Sequence, residues 1–314
     1  MARHRRARIT APLAVTSRAP KQSRLGGYHV IAQLARGGTA GVYLAEHAVT
    51  GERVALKVLD PFFCDNAELV QRLLAERAIS ERVCHAGLLD VRLAGRSAGG
   101  VPYLVMEYLE GESLEALALR GALDRDAVIA AIAAQLAAAL GALHAAGFVH
   151  CDVKPANVLV LGGPAGGGWP RIKLIDFGVA RRLDEPLPAE PAIAGTPAYM
   201  APEQWRGRPE PASDVYSLGC LLYELLAGQP VFSGPPPYLM AVHRHQLPVR
   251  PSVHRPDLAP ELERVIVRAL AKDPALRPST AELEAELMRA ACASAPVPAP
   301  AGAGLAHALL AAAG

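Results

Sequence analysis

Residues 150–157 read HCDVKPAN and follow a long alanine-rich segment. Two more short motifs come later in the chain, DFG at 176–178 and APE at 201–203. The second of these closes the longer stretch GTPAYMAPE, which begins at Gly195. Any one of these motifs is a weak signal. Three of them in this order and at workable spacing do not arise by chance, so they decide how the rest of the chain is interpreted.

A glycine-rich turn between two predicted strands lies upstream of these motifs. Small side chains let a backbone approach phosphate oxygens closely, and its amides can face those oxygens. Fifteen residues beyond this turn, the stretch VALK ends at Lys57, and Glu76 on the next predicted helix could hold that lysine. Taken singly, the turn could be an ordinary hairpin, Lys57 a surface lysine and Glu76 a solvated carboxylate. The turn comprises Leu34, Ala35, Arg36, Gly37, Gly38, Thr39, Ala40, Gly41 and Val42.

The first third of the chain is predicted to be rich in strands and the remainder in helices. Alternation of apolar and polar residues between glycines predicts the strands, and apolar spacing of three or four predicts the helices. Strands are predicted at Tyr28–Leu34, Val42–His47, Arg53–Leu59, Leu88–Leu93, Tyr103–Glu107, Val158–Val160 and Ile172–Leu174. Helices are predicted at 67–83, 113–119, 124–146, 213–227, 239–244, 259–271 and 280–290. This division indicates two unlike lobes.

Together, the motifs resemble those of the eukaryotic-type protein kinases, and within that family the bacterial serine/threonine kinases. Residues 195–203 are especially similar to the bacterial branch, and the resemblance covers roughly residues 28–290. It implies an α+β, bilobal protein-kinase fold with a small β-rich N-lobe and a larger helical C-lobe. The implied boundaries are 28–106 for the N-lobe, 107–110 for the hinge and 111–290 for the C-lobe.

The resemblance implies an ATP- and Mg²⁺-dependent transfer of the γ-phosphate to a protein hydroxyl. The role of each residue in the family motifs is carried over to the matching position of this chain. Asp152 would accept the hydroxyl proton, Lys154 would neutralise charge on the transferred group, and Asn157 and Asp176 would hold Mg²⁺. The lysine two residues after the aspartate is the pattern of the serine/threonine class. The implied nucleotide-binding residues are those of the glycine-rich turn together with Ala55, Lys57, Glu76 and the hinge residues Glu107 and Leu109, where the backbone would bond the adenine. The resemblance also gives roles to residues around the catalytic loop (150–157) and the activation segment (176–203): Met106 is at the gatekeeper position, Thr196 would contact the catalytic loop, Asp214 would brace that loop, and Glu203 would pair with Arg277 to anchor the activation segment.

The glycine-rich turn departs from the family pattern at two positions. Ala35 and Ala40 replace the first and third glycines of G-x-G-x-x-G. A Cβ atom restricts the backbone, although Gly41 follows directly and restores some freedom. The sequence therefore predicts weakened, but not abolished, nucleotide binding.

The segment that the family uses as a phosphorylation switch also departs from the pattern. Cys151 stands where regulated kinases have an arginine that receives a phosphate. Between residues 176 and 203 the only serine or threonine is Thr196, and the acidic residues Asp184, Glu185 and Glu190 have no arginine at 151 to pair with. We therefore predict that activity does not depend on activation-loop phosphorylation. An alternative interpretation of Cys151 is a redox-sensitive thiol beside the base.

Two other functions are compatible with the motifs. A pseudokinase would use the same fold as an ATP-binding scaffold, and only the altered glycines favour it. A small-molecule phosphotransferase shares the His-x-Asp pattern and a later aspartate, but is not expected to contain residues 195–203. The complete set of catalytic residues favours an active protein kinase.

Composition limits the remaining possibilities. The chain has 314 residues, 51% of them hydrophobic, and a net charge of +2, which permits a large core and gives no bulk signal of nucleic-acid binding. Seven basic residues and no acid lie within residues 1–24, so 1–27 is interpreted as a disordered basic arm that could contact an acidic partner or regulator. Residues 291–314 form an Ala/Pro-rich tail. Five scattered cysteines, odd in number, argue against a disulfide framework and a zinc site and favour the cytoplasm. The N-terminus lacks the apolar core of a signal peptide.

The segment from Ala127 to Val149 resembles a membrane span in composition. Its larger apolar residues nevertheless step by three or four along one face of a helix, and alanine contributes little to membrane insertion. A buried helix of the C-lobe is therefore predicted, and no membrane span is expected. The stripe consists of Ile129, Ile132, Leu136, Leu140 and Leu143.

Overall fold

The computed structural model of the chain describes residues 24–123, 125–162, 168–185 and 193–293. Most of the basic arm, most of the Ala/Pro-rich tail and Glu190 lie outside these ranges. In the N-terminal part, six antiparallel strands form one sheet in the order β1-β2-β3-β4-β6-β5. The strands are β1 (Arg24–Leu25), β2 (Tyr28–Arg36), β3 (Ala40–His47), β4 (Arg53–Leu59), β5 (Val91–Arg96) and β6 (Pro102–Glu107). The first strand lies within the range assigned to the arm, and its Leu25 is buried.

The β2–β3 hairpin brings the glycine-rich turn beside Lys57. The turn is closed by the backbone N–H of Gly37, which donates to the carbonyl of Ala40 at 2.8 Å. Across the next strand pair, Val42 lies directly opposite Lys57. The sequence prediction that the lysine and the turn are neighbours is therefore confirmed.

Helix α1 (Ala67–Arg82) carries Glu76 to the sheet. It begins after Asn66, whose side chain accepts a hydrogen bond from the backbone N–H of Leu69 at 3.1 Å and satisfies an otherwise free donor. The buried face of α1 consists of Val70, Leu73, Glu76 and Ile79. Glu76 is thus a carboxyl group on the apolar face of the helix, and it requires a partner there.

Strand β5 differs from its prediction, which placed it at Leu88–Leu93. Residues 87–89 pair with the C-lobe instead: the N–H of Leu174 donates to Gly87 and the N–H of Leu89 donates to Leu174. Because those backbone groups are already bonded, β5 begins only at Val91, and its pairing with β6 continues to Arg96. The segment before β5 thereby joins the two lobes.

The C-terminal part is helical, as predicted. Several of its helices begin with proline, which has no N–H to leave unsatisfied in the first turn. Two of them start earlier than predicted, at Pro211 rather than 213 and at Pro236 rather than 239, whereas the helix predicted from 259 starts at Pro260. The helices are α2 (Leu114–Leu119), α3 (Asp126–Ala145), α4 (Pro211–Ala227), α5 (Pro236–His245), α6 (Pro251–His254), α7 (Pro260–Ala269) and α8 (Thr280–Ala293). The short helix α6 was not predicted.

Helix α3 is the centre of the C-lobe. By length and composition alone it could cross a bilayer. The predicted apolar stripe is buried throughout, and α3 packs against α4 and α8. The prediction of a buried helix is therefore confirmed.

Two small sheets hold the loops that contain the quoted motifs. Residues 150–157 lie between β8 (Phe148–Val149) and β9 (Val158–Leu161), and DFG follows β10 (Arg171–Leu174). Strand β9 pairs with β10 and with β7 (Gly111–Ser113), whereas β8 pairs with β11 (Arg181–Arg182). Both motif loops are therefore fixed at each end by strand pairing.

Candidate active site

Three charged residues from distant parts of the chain meet between the lobes. Lys57 Nζ donates to Glu76 Oε1 at 2.6 Å and to Asp176 Oδ1 at 2.8 Å. The side chain of Glu76 is 2% exposed, whereas that of Asp176 is 47% exposed. The buried carboxyl group therefore anchors the lysine, and the accessible one faces the space between the lobes.

Burial and charge act in opposite directions on this triad. Burial lowers the pKa of Lys57, but the two carboxylates outweigh it and hold this pKa above its ordinary value. Burial would raise the pKa of Asp176, but the Lys57 ammonium holds it below its ordinary value. For Glu76 the effect of burial is larger than the opposing effect of the Lys57 ammonium, and it raises the pKa to about 7. Its Oε2 atom is buried and has no hydrogen-bond partner among the described residues, so no donor at this oxygen offsets the cost of burying the anion.

The stability difference between the wild type and a Glu76→Gln variant is expected to depend on pH. The pKa of Glu76 rises from 4.5 to about 7 on folding, so the folded protein keeps this proton where the unfolded chain has lost it. The contribution of Glu76 to the free energy of unfolding therefore falls as pH rises through that window. Lys57 and Asp176 do not titrate in this pH window, because folding raises the pKa of Lys57 and lowers the pKa of Asp176.

Urea unfolding of both proteins across this window measures the effect. The wild type should lose stability relative to the variant as pH increases. Taking the difference cancels the titration of the buried histidines, which are common to both proteins. A difference that does not change with pH would contradict the raised pKa.

Residues 150–157 form a second polar cluster around Asp152. Thr196 Oγ1 donates to Asp152 Oδ1 at 2.6 Å, and Lys154 Nζ lies 2.7 Å from Asp152 Oδ2. Lys154 also donates to Thr196 Oγ1 at 2.7 Å, and Asn157 Nδ2 donates to Asp152 Oδ2 at 3.0 Å. Both carboxylate oxygens of Asp152 are thus oriented by neighbouring donors, and the expected contact between Thr196 and this loop is confirmed.

Asp214 fixes the backbone of the same loop from helix α4. Its Oδ2 accepts the N–H of His150 at 2.8 Å and its Oδ1 accepts the N–H of Cys151 at 2.9 Å. Cys151 has a φ of 66°, in the left-handed region that costs a non-glycine residue roughly 1 kcal/mol. The two bonds to a fully buried carboxylate stabilise this conformation, so the expected bracing contact of Asp214 is confirmed.

The thiol of Cys151 is not positioned for redox chemistry. It is buried, and burial raises its pKa well above the ordinary value, so very little thiolate is present. We expect iodoacetamide to modify the exposed Cys84 and Cys292 of the native protein and to leave Cys151 and Cys220 unmodified. Peptide mass spectrometry after brief native labelling, with a urea-unfolded sample as the control, measures this difference. Native labelling of Cys151 would favour the redox interpretation.

The tip of the glycine-rich turn is bound to Asp60 at the end of β4. Arg36 Nη2 lies 3.2 Å from the Asp60 carboxylate, and the Asp60 N–H donates to the carbonyl of Thr39 at 2.8 Å. Ala35 and Ala40 lie in β2 and β3, and neither has a positive φ. The conformation described here does not require glycine at these two positions; the weakening of nucleotide binding stays a prediction.

An apolar surface lies between the turn and the hinge. Ala55 and Met106 are buried and face each other across β4 and β6, and Leu34, Val42 and Leu109 pack partly buried against the same core. Such a surface suits a flat aromatic group. All five residues were singled out from the sequence.

The donor set also fits a divalent cation. Asp176 accepts hydrogen bonds at Oδ1 from Lys57 and from the N–H of Gly178, whereas its Oδ2 has no hydrogen-bond partner in the described ranges. Asn157 uses Nδ2 toward Asp152, so its amide oxygen points elsewhere. Carboxylate and amide oxygens are the ligands that Mg²⁺ prefers.

The comparison with known proteins agrees with this geometry. A family model described as the protein kinase domain matches residues 28–287. The chain belongs to the protein kinase family.

The chain is similar to serine/threonine kinases of bacteria. It is 38% identical over 256 residues to the serine/threonine-protein kinase Pkn1 of Myxococcus xanthus, covering 80% of this chain and 36% of Pkn1. It is 40% identical over 248 residues to the serine/threonine-protein kinase PkaA of Streptomyces coelicolor, covering 78% of this chain and 44% of PkaA. The resemblance to the bacterial serine/threonine kinases is confirmed. The chain spans about two fifths of the length of these relatives.

Solved structures confirm the fold of the kinase domain. A crystal structure of a double mutant of the Mycobacterium tuberculosis PknI kinase domain matches with a TM-score of 0.64 at 30% identity. The match covers 85% of this chain and 97% of that one. The expected bilobal arrangement of a β-rich N-lobe and a helical C-lobe is therefore confirmed.

The kinase domain also contains positioning contacts that the sequence analysis missed. Glu107 was expected to act through its backbone, but its side chain accepts from Lys173 Nζ at 2.6 Å and from the N–H of Asp90 at 2.8 Å. This joins the hinge to β10 in the C-lobe. Gln204, which was not singled out from the sequence, connects two loops of the site. The alternation that places Glu107 in a strand does not identify the partners of its side chain, and Gln204 lies outside the predicted helices and strands, so only the folded chain reveals these contacts.

Proposed function

We propose that this chain is an ATP- and Mg²⁺-dependent protein kinase domain that transfers the γ-phosphate of ATP to serine and threonine hydroxyls of proteins. The observation that carries the proposal is the coexistence of two complete polar clusters. One holds Lys57 between Glu76 and Asp176, and the other orients Asp152 by Thr196 and Lys154. A scaffold that only binds nucleotide has no need of the second cluster.

The first cluster and the apolar surface would bind ATP. Lys57 would contact the α- and β-phosphates, with Glu76 holding the ammonium in place. The glycine-rich turn would cover the phosphates, and Ala55 and Leu109 would contact the adenine. The N–H of Glu107 is donated to the carbonyl of Asp90, so Glu107 would contribute to the adenine through its own carbonyl. Mg²⁺, held by Asn157 and Asp176, would neutralise charge on the phosphates.

The second cluster would carry out the transfer. The substrate hydroxyl oxygen would form a bond to the γ-phosphorus as the bond to the bridging oxygen of ADP breaks, and Asp152 would take the hydroxyl proton. Lys154, already 2.7 Å from Asp152, would stabilise the negative charge on the phosphoryl oxygens. Thr196 would keep one carboxylate oxygen directed at the hydroxyl.

We further propose that phosphorylation of the activation loop is not required. The buried Cys151 side chain offers no positive charge to a phosphate. Thr196 is engaged with Asp152, and Asp184 pairs with its own neighbour Arg182 at 2.6 Å. These contacts support an arrangement that forms without an added charge.

The location and partners of the kinase domain are proposals as well. All five cysteines lie within the described residues and are free, which supports a reducing compartment such as the cytoplasm. We propose protein substrates, and an acidic partner or regulator for the basic arm. The kinase domain is proposed to comprise residues 28–290; strand β1 (Arg24–Leu25), which pairs with β2, and the end of α8 at Ala293 extend it into the ranges of the arm and the tail.

The function is tested by incubating the purified protein with γ-labelled ATP, Mg²⁺ and a generic basic protein. Label is expected in the protein substrate, on phosphoserine and phosphothreonine but not phosphotyrosine. ATP binding is measured separately by calorimetry. If ATP binds but neither the substrate nor the chain itself is labelled, the scaffold function replaces the proposal.

A further inference from the structure

The buried amide of Gln204 connects the loop before Asp152 to the segment before Thr196. Its Nε2 atom donates to the carbonyl of Cys151 at 2.6 Å and to the carbonyl of Ala194 at 2.7 Å. The residue is 2% exposed. A primary amide has two N–H groups, so each carbonyl receives one of them. These three groups are referred to below as the Gln204 tether.

The orientation of the amide is dictated by its surroundings. The Oε1 atom of Gln204 is buried and has no hydrogen-bond partner among the described residues. Rotating the amide by half a turn would place that oxygen against two carbonyl oxygens, which repel it, and would leave both carbonyls unsatisfied. The protein therefore tolerates one unpaired oxygen in order to satisfy two carbonyl acceptors, one in a buried and one in a partly buried contact.

Because Gly195 has no side chain, there is room beside it for the tether. Its φ of 123° is rarely adopted by residues with a side chain. A Cβ atom there would lie 2.5 Å from Nε2 of Gln204 and 2.6 Å from the carbonyl oxygen of Cys151. Glycine at this position is thus explained by the close approach of the two loops through the tether.

The tether is adjacent to the hydrogen bond that orients the proposed base. Cys151 directly precedes Asp152, and Ala194 is two residues before Thr196, whose hydroxyl donates to Asp152. Fixing the two carbonyls therefore fixes both ends of the Thr196–Asp152 contact. No charge takes part in this connection.

We propose that Gln204 is a positioning residue, whose side-chain amide holds the activation segment against the catalytic loop so that the active arrangement forms without a phosphate. This rests on the proposed function, because its consequence for rate exists only if the chain transfers phosphate. The tether acts through the backbone on Asp152 and Thr196, and Gln204 itself touches neither reacting group.

The test compares three variants with the wild type. Gln204→Met keeps the length of the side chain but removes both donors, and Gln204→Glu replaces them with oxygens that the carbonyls repel. Gln135→Met is the matched control, because Gln135 also donates to two carbonyls, of Ala131 at 3.2 Å and Pro170 at 2.8 Å, away from the site.

A decrease in kcat of about 10- to 100-fold is expected for Gln204→Met, corresponding to two carbonyl acceptors left unpaired. Gln204→Glu should lose more activity, and the control should retain the wild-type kcat. The KM for ATP should stay within about threefold in all variants, since no nucleotide contact changes. Hydrogen exchange of residues 193–199 should become faster in the Gln204 variants alone, which a general loss of stability would not produce.

Three results would overturn the proposal that Gln204 is a positioning residue. They are wild-type kcat and exchange in Gln204→Met, equal effects in the Gln135→Met control, or a phosphate on Thr196 that the wild type needs for activity. If Gln204→Met does not fold, the shorter amide of Gln204→Asn decides, and an unchanged kcat there rejects the proposal. If the wild type itself transfers no phosphate, the proposed function fails, whereas the exchange measurement still tests the tether by itself.

Discussion

An Asp152→Asn variant is expected to lose about 10²- to 10⁴-fold in the rate of phosphoryl transfer, the range typical of a general base. Its Kd for ATP should stay within about threefold, because no proposed nucleotide contact involves Asp152. The rate is measured with γ-labelled ATP and the basic protein substrate, and the Kd by calorimetry. This is the largest change in activity that the structure predicts for one substitution.

The surroundings of Asp152 make this substitution a clean test of the chemistry. An asparagine amide oxygen can still accept from Lys154 and Asn157, which donate to Oδ2 in the wild type. The amide nitrogen would then face Thr196, whose hydroxyl can reverse its role and accept. The local geometry is retained, whereas an amide cannot take up the substrate proton.

Asp257→Asn provides the matched control. Its carboxylate is 78% exposed and lies 3.5 Å from Arg255, so removal of its charge should leave the transfer rate unchanged. If Asp152→Asn retained a rate within tenfold of the wild type, Asp152 would not be the base.

The residues of the two polar clusters could be predicted from sequence, but only through the family resemblance. Lys57 and Asp176 are 119 residues apart, and no helical or strand period connects them. Composition and spacing alone left Lys57 as a surface lysine. The ordered motifs identified both residues and paired Lys57 with Glu76, whereas the direct contact between Lys57 and Asp176 is seen only in the structure.

Other features could not be predicted because they depend on competition for backbone groups. The apolar residues Leu88 and Leu89 fit a strand pattern, yet they pair with Leu174 of the other lobe. Similarly, Gln204 carries no chemical signal in the sequence, since it acquires its role from two carbonyls brought to it by distant loops. Ala40 is a similar case. The family pattern indicated a backbone conformation that favours glycine, but Ala40 is the first residue of strand β3 and has no positive φ.

An Arg277→Met variant is expected to lose about 3–5 kcal/mol in the free energy of unfolding, the cost of removing one partner of a buried ion pair. The Arg277 side chain is fully buried and donates to Glu203 Oε1 at 2.7 Å and to Oε2 at 2.9 Å. It also donates to the carbonyls of Ala212, Ala271 and Lys272. Without it, the Glu203 carboxylate would be left buried, and among the described residues its remaining donor would be the hydroxyl of Ser213, at 2.6 Å.

Thermal unfolding and urea titration measure this loss, which corresponds to a decrease in Tm of roughly 10 °C for a domain of this size. Arg250→Met is the control: that arginine is 76% exposed and lies 3.6 Å from Glu263, so its removal should cost less than about 1 kcal/mol. The double variant Arg277→Met with Glu203→Leu should recover much of the lost stability, because no unpaired charge stays buried. Equal losses in the Arg277 and Arg250 variants would contradict the argument, since they would mean that burial of Glu203 carries no electrostatic cost. Recovery in the double variant without recovery of kcat would show that the pair also aligns the segment ending at Glu203 with the catalytic loop.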